Sequence, residues 1–170
     1  MSYATNTLAT FDQMLGTLGH LLDKVEQSGK VDLAARLAPD MFPLATQVRF
    51  TTYQVLNTLN RLAGTDLALD EEDPADFAEA KAMVAKARDA VKAAAPDAFA
   101  AADAPVEFDL PNGMAFALTA EEYVRDWSMA QFYFHLMAFY AIARAGGVEL
   151  GKADYVPYMM RHLKQPAAAA

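Results

Sequence analysis

The sequence predicts an all-α fold, a bundle of four long helices with one small β-hairpin set between the third and the fourth. Three observations point there. The chain has 170 residues, 54% of them hydrophobic and only 21% charged, with alanine prominent among the apolar ones; alanine is the strongest helix former and loses little side-chain entropy on folding. Apolar residues recur at helical three- and four-residue spacing over long stretches. Stop and start signals, glycines, prolines and a capping box, separate those stretches. A chain of this length is most economically one domain, able to remove roughly 70% of its unfolded surface from water; we place that domain at residues 1–158, with a frayed tail from 159 to 170.

Leu8, Phe11, Leu15, Leu18, Leu22 and Val25 share one helical face, and Gly29 supplies a stop, so the first helix is expected over 5–28. Gly16 and Gly19 weaken it slightly or let a neighbouring backbone approach. The second helix is expected from Asp40 as N-cap, with Pro43 in the first turn, Leu44, Val48, Val55, Leu59 and Leu62 as its apolar stripe and Gly64 at C′. The acidic run Asp70-Glu-Glu-Asp73 before Pro74 is expected at the start of the third helix, where the macrodipole favours negative charge, an explanation at least as good as metal binding. Phe77, Val84, Ala87 and Val91 are its inward face and Pro96 its end.

The period then changes. Val106, Phe108 and Leu110 alternate with polar residues, Pro111-Asn-Gly113 intervenes, and Met114, Phe116 and Leu118 alternate again, which reads as a hairpin leaning by one face on the helices. Thr119-Ala-Glu-Glu122 is a capping box. The fourth helix is expected to turn Tyr123, Trp127, Ala130, Phe134, Met137 and Ala141 inward and to end at Gly146-Gly147, with a short shoulder from Val148 to Tyr158.

Composition narrows the function classes. With 14 basic against 22 acidic residues the net charge is −8, and no basic cluster exists to displace counterions from a nucleic acid or to meet an anionic membrane. No cysteine is present, which removes thiolate ligands and nucleophiles. The N-terminus lacks a signal-peptide pattern, and no stretch approaches the ~18 apolar residues of a bilayer span, so a cytoplasmic, soluble protein is expected.

Gln131 and His135 are four apart on an apolar helix and point the same way, with Ser128 and Ala138 on the same stripe. Apolar surroundings lower a histidine pKa and favour the neutral ring, a metal ligand, a base or simply a core group satisfied by one hydrogen bond. His20 is placed at the edge of the first helix's stripe and His162 in solvent near the tail. Arg49 and Arg61 read as surface arginines, and the methionines as packing. No HExxH, no histidine pair at helical spacing, no phosphate loop and no nucleophile elbow occurs.

Arg36-Leu-Ala-Pro-Asp-Met-Phe-Pro-Leu44 with Gln47-Val48, then Phe132-Tyr-Phe-His135, Tyr140-Ala-Ile142 and Gly147-Val-Glu-Leu-Gly-Lys152 resemble a bacterial family of unknown function within the DinB/YfiT-like superfamily of four-helix bundles, grouped as candidate metalloenzymes. The resemblance covers roughly residues 3 to 155. It implies an up-down-down-up bundle, often a homodimer, with a pocket at one end. Metal-binding members use a histidine on the second helix and an HxxxH pair on the last; the corresponding positions here are Gln47, Gln131 and His135. Two of three ligands are thereby amides, poor donors for zinc or nickel, so a degenerate site with no cofactor is expected, with His135 the sole candidate ligand. The resulting reading is a bundle whose polar pocket (Gln47, Gln131, His135) takes a small molecule. Its alternatives are a divalent-metal-dependent thiol or small-molecule transferase, which rests on fold analogy alone, and a partner-binding module using an exposed helix face.

Overall fold

The computed structural model describes residues 2–164. Helix α1 spans Tyr3–Ser28, starting two residues before the expected boundary because the Ser2 side chain accepts from the Thr5 N–H at 3.2 Å; Gly29, at φ 59°, ends it. Helix α2 spans Leu44–Leu62. Asp40 is not its N-cap. Pro43 holds that position without a side-chain cap, and carbonyls of the preceding loop replace one: Leu44 N–H donates to Ala35 at 2.9 Å and Ala45 N–H to Leu33 at 3.0 Å. Gly64, at φ 64°, follows its end as expected.

Helix α3 spans Phe77–Ala93 and is capped by Asp76, whose carboxylate accepts from Glu79 N–H at 2.8 Å, while Glu79 accepts from Ala75 N–H. The acidic run therefore does not serve the helix start. It lies upstream, where Asp70 meets Lys86 at 2.9 Å and Asp73 binds both Thr46 and Arg49. Strands β1 (Pro105–Asp109) and β2 (Ala115–Thr119) pair antiparallel with Phe108 opposite Phe116. Their turn closes by Gly113 N–H to the Leu110 carbonyl, with Gly113 at φ 86°, a left-handed position suited to glycine. Phe108 packs on Tyr123 and Trp127 at 5.7 and 5.0 Å, so the hairpin leans on the last helix. Met114 is exposed rather than inward, since it belongs to the turn and not to a strand.

Helix α4 is composite. The predicted capping box is present at its start, Ala120–Glu122; a π-helical turn follows at Tyr123–Ser128, with Met129 N–H reaching back to the Val124 carbonyl; an α-helix then runs over Met129–Ala145. The wide turn inserts one extra residue and rotates everything after it by about 100°. The inward face after the turn is accordingly Phe132, His135, Leu136, Phe139 and Ile142. Of the expected inward residues only Tyr123 is fully buried; Phe134 is 60% exposed, Met137 and Ala130 face out, and Trp127 and Ala141 are half-buried. After Gly146-Gly147 a short helix α5 (Lys152–Tyr155) and a 3-10 turn (Pro157–His162) lie against α1, where Asp154 meets His20 at 3.1 Å and Lys24 at 2.9 Å and Arg161 donates to Gln13. The expected tail is thus helical through His162; Leu163 and Lys164 follow without regular structure, and 165–170 lie outside the described residues.

Side-chain pairs fix the topology. Lys81 meets Asp23 and Glu26 while Arg88 meets Asp12, so α3 runs antiparallel to α1. Asp73, just before α3, binds the first turn of α2, and Ala100, just after it, donates to the last residue of α2, so α2 and α3 run parallel. Thr58 pairs with Ser128 and Gln47 with His135, which sets α4 antiparallel to α2. The result is an up-down-down-up bundle. No helix among the described residues is long and apolar enough to cross a membrane.

One close approach is testable. A Cβ on Gly146 would lie 2.2 Å from Val31 Cγ2, a β-branched group with little room to turn. Gly146→Ala is expected to destabilise by about 1–3 kcal/mol in urea unfolding, and Val31→Ala in the same chain to recover most of the added loss.

Candidate functional site

A cleft of about 640 Å³ lies between α2 and α4, lined by Gln47, Phe50, Tyr53 and Gln54 from α2 and by Trp127, Gln131, Phe134 and His135 from α4. Positions 47, 50 and 54 share a face at helical spacing, as do 127, 131, 134 and 135. The tip of the hairpin, Leu110 and Pro111, and the 40–42 loop close its ends. Phe42 and Phe134, both largely exposed, stand beside it, and the inner wall is aromatic.

Gln47 is 1% exposed and both ends of its amide are engaged: Nε2 donates to the Phe42 carbonyl at 3.0 Å, and Oε1 lies 2.9 Å from His135 Nδ1. Since the Phe42 carbonyl can only accept, the Gln47 oxygen must face the histidine, and an oxygen there requires a proton on Nδ1. His135 is therefore the Nδ1–H tautomer, with Nε2 bare, and it has no protein partner at Nε2 among the described residues. Burial, and secondarily the positive charge of Arg49, lowers its pKa from 6.5 to about 4. Phe50 packs on the ring at 4.9 Å and is itself held by Phe42 at 5.2 Å and by the Arg49 guanidinium at 4.4 Å. Arg49 is not the free surface arginine expected; Asp73 binds it at 2.6 Å and it is only 18% exposed.

The structure thus joins Gln47 to His135 directly. Gln131 lines the same cleft, half-buried, but bonds to neither. Sequence reasoning missed Gln54, which is 8% exposed and lines the same wall, its Oε1 buried without a partner. The signal was available: Gln54 is two turns after Gln47 and shares its face. His20 is engaged by Asp154, which the Lys24 ammonium and the Gly151 N–H hold well below the usual carboxylate range, and His162 accepts from Arg161. Arg61 sits exposed over Phe108 and donates to the Glu107 carbonyl, tying the hairpin to α2.

A transition metal asks for three or more strong donors. With Gln47 committed at both ends, the cleft offers one imidazole nitrogen, the neutral amides of Gln54 and Gln131, the Tyr53 phenol and, at its exposed edge, Asp40; among the described residues no group of three or more His, Asp or Glu converges. These residues do not fit a metal centre. What they do offer is one fixed acceptor in an apolar recess.

A family model described as a domain of unknown function (DUF1993) matches residues 3–156. The chain is also similar to a solved crystal structure, a DinB family member protein from Shewanella denitrificans, at 27% identity over 96% of this chain and 93% of that one, with a TM-score of 0.74. No curated protein matches.

Because the folded-state pKa of His135 lies below its unfolded value, stability is intact above pH 6.5 and falls as pH drops toward 4, where the native ring finally protonates. The loss is about 3 kcal/mol over that window. Urea unfolding at pH 7 and pH 4 should show it, and His135→Phe should remove that part of the slope.

Proposed function

This chain belongs to the DUF1993 family, and on that premise we propose that its α2–α4 cleft binds a small, uncharged molecule with an aromatic or apolar body and at least one hydrogen-bond donor. The observation that carries the reading is the oriented, unprotonated Nε2 of His135 in an aromatic-walled recess. A cleft of about 640 Å³ suits a compact organic ligand. Its interior lining carries no charged side chain, Asp40 being exposed at the edge, so an ionic ligand would lose hydration without compensation.

Such a pocket favours recognition over proton transfer. An imidazole with a pKa near 4 is a weak base at neutral pH but a good acceptor for a ligand N–H or O–H. The metal-dependent transferase reading asks the same side chains for three strong donors, and they supply one.

Phenol and indole serve as probes. Ligand-observed NMR should detect both, their contacts should map to Phe50, Trp127 and His135, and His135→Phe should weaken phenol about tenfold, the worth of one hydrogen bond. Equal binding to the variant, or contacts elsewhere on the protein, would remove the reading.

A further inference from the structure

Among the four long helices, α4 is hydrophobic nearly all round: from Met129 to Ala143 only Gln131 and His135 are polar, and no side chain is charged. A helix of that kind belongs in an interior, yet only one side of α4 lies in one. Phe132, His135, Leu136, Phe139 and Ile142 are buried in the bundle. On the opposite side Phe134 is 60% and Met137 47% exposed, with Ala130 exposed and Ala141 half-buried on the same stripe. Among the described residues α1, α2 and α3 expose no large hydrophobic side chain, whereas α4 exposes Tyr133, Phe134 and Met137.

The stripe also reads the same from both ends. Along it stand Asp126, Ala130, Phe134, Met137, Ala141 and Arg144: a charge, a small residue, two large ones, a small residue and the opposite charge. Such an order complements itself when run backwards, which is what a two-fold interface requires. Laid antiparallel on its own copy, it sets large side chains against each other, alanine against alanine and acid against base. The alanines let the two backbones approach while the large pair fills the middle. A parallel pairing would bring like charges together at both ends. Arg144 makes no ion pair among the described residues, and Asp126 has only its exposed neighbour Arg125, at 2.7 Å. A chain of net charge −8 repels its copy, and a stripe with one acid and one base is where that repulsion is least.

We propose that this face of α4 docks a second copy of the chain, as an antiparallel α4 pair about a two-fold axis between Phe134 and Met137. Phe134 then packs on Met137 of the partner subunit, Ala130 on the partner's Ala141, and Asp126 meets the partner's Arg144. Phe134 also lines the α2–α4 cleft, so the second copy stands at one edge of the cleft mouth. The pairing does not depend on what the cleft binds.

Wild-type protein should sediment as a dimer at micromolar concentration. Met137→Glu, at an exposed position, should keep its helical circular dichroism and weaken the dimer at least about a hundredfold, because it buries two unpaired carboxylates. The chain has no cysteine, which makes the register directly readable. Ala130→Cys and Ala141→Cys chains, mixed and treated with a short bismaleimide, should cross-link to each other. Neither should link to itself, since equal positions lie about 16 Å apart along an antiparallel pair. Should Met137→Glu lose its helicity, the cysteine mixture still decides. A monomer at every concentration, whether its stripe stays bare or takes another protein, would overturn the proposal. So would a dimer that Met137→Glu leaves intact, self-linking of either cysteine chain, or a mixture that does not link.

Discussion

The hydrogen bond from His135 Nδ1 to Gln47 Oε1 is the constraint from which the character of the site follows. It ties α2 to α4 in the bundle interior, and it selects one tautomer of the imidazole. The selection is made one residue further back, by the Phe42 carbonyl that turns the Gln47 amide around. Phe42 lies in the loop that enters α2, whose own carbonyls stand in for a helix cap. A loop that looks like a mere connection thereby sets both where α2 begins and which nitrogen of His135 faces the cleft. Asp73 plays a similar part from the other side: it fastens Arg49, whose guanidinium lies over Phe50, and Phe50 packs on the imidazole.

The same contact bears on the metal-site pattern that the resemblance implies. The pattern implied by the resemblance asks position 47 for a free lone pair; here the Gln47 oxygen is taken up by the His135 Nδ1–H, so the two side chains serve each other as donor and acceptor. What remains is a cleft walled by aromatic rings, with the amides of Gln54 and Gln131 also in its lining.

Much of the fold was legible in the sequence because the signals are local. The stripe of α1, the glycine stop at Gly29, the capping box at Thr119–Glu122 and the turn at Pro111–Gly113 each depend on residues a few positions apart. The errors share a cause too, in that each depended on contacts distant in the chain. Asp40 has the chemistry of an N-cap, but loop carbonyls folded back onto Leu44 and Ala45 do its work. The acidic run has the chemistry of a helix start, but Lys86, Thr46 and Arg49 claim two of its members. The π-helical turn carries no sequence signature that period counting detects, and by adding one residue it moved Phe134 and Met137 to the outside and Phe132 and Phe139 to the inside. At the site, Gln131 and His135 were readable from their spacing and Gln47 from resemblance. Gln54 was readable only once Gln47 had been placed inside, since its position two turns on shares that face; taken alone, a glutamine among the threonines and leucines of α2 reads as surface.

The proposed role of the cleft depends on the protonation pattern of one ring. Long-range nitrogen–proton correlation spectra of the histidine side chains at pH 7 report it directly, since a protonated and a bare imidazole nitrogen resonate far apart. His135 should show the proton on Nδ1 and a bare Nε2. A ring that carries its proton on Nε2, or both protons at neutral pH, would mean that the Gln47 amide does not hold it as described, and the recognition site derived from that contact would not exist.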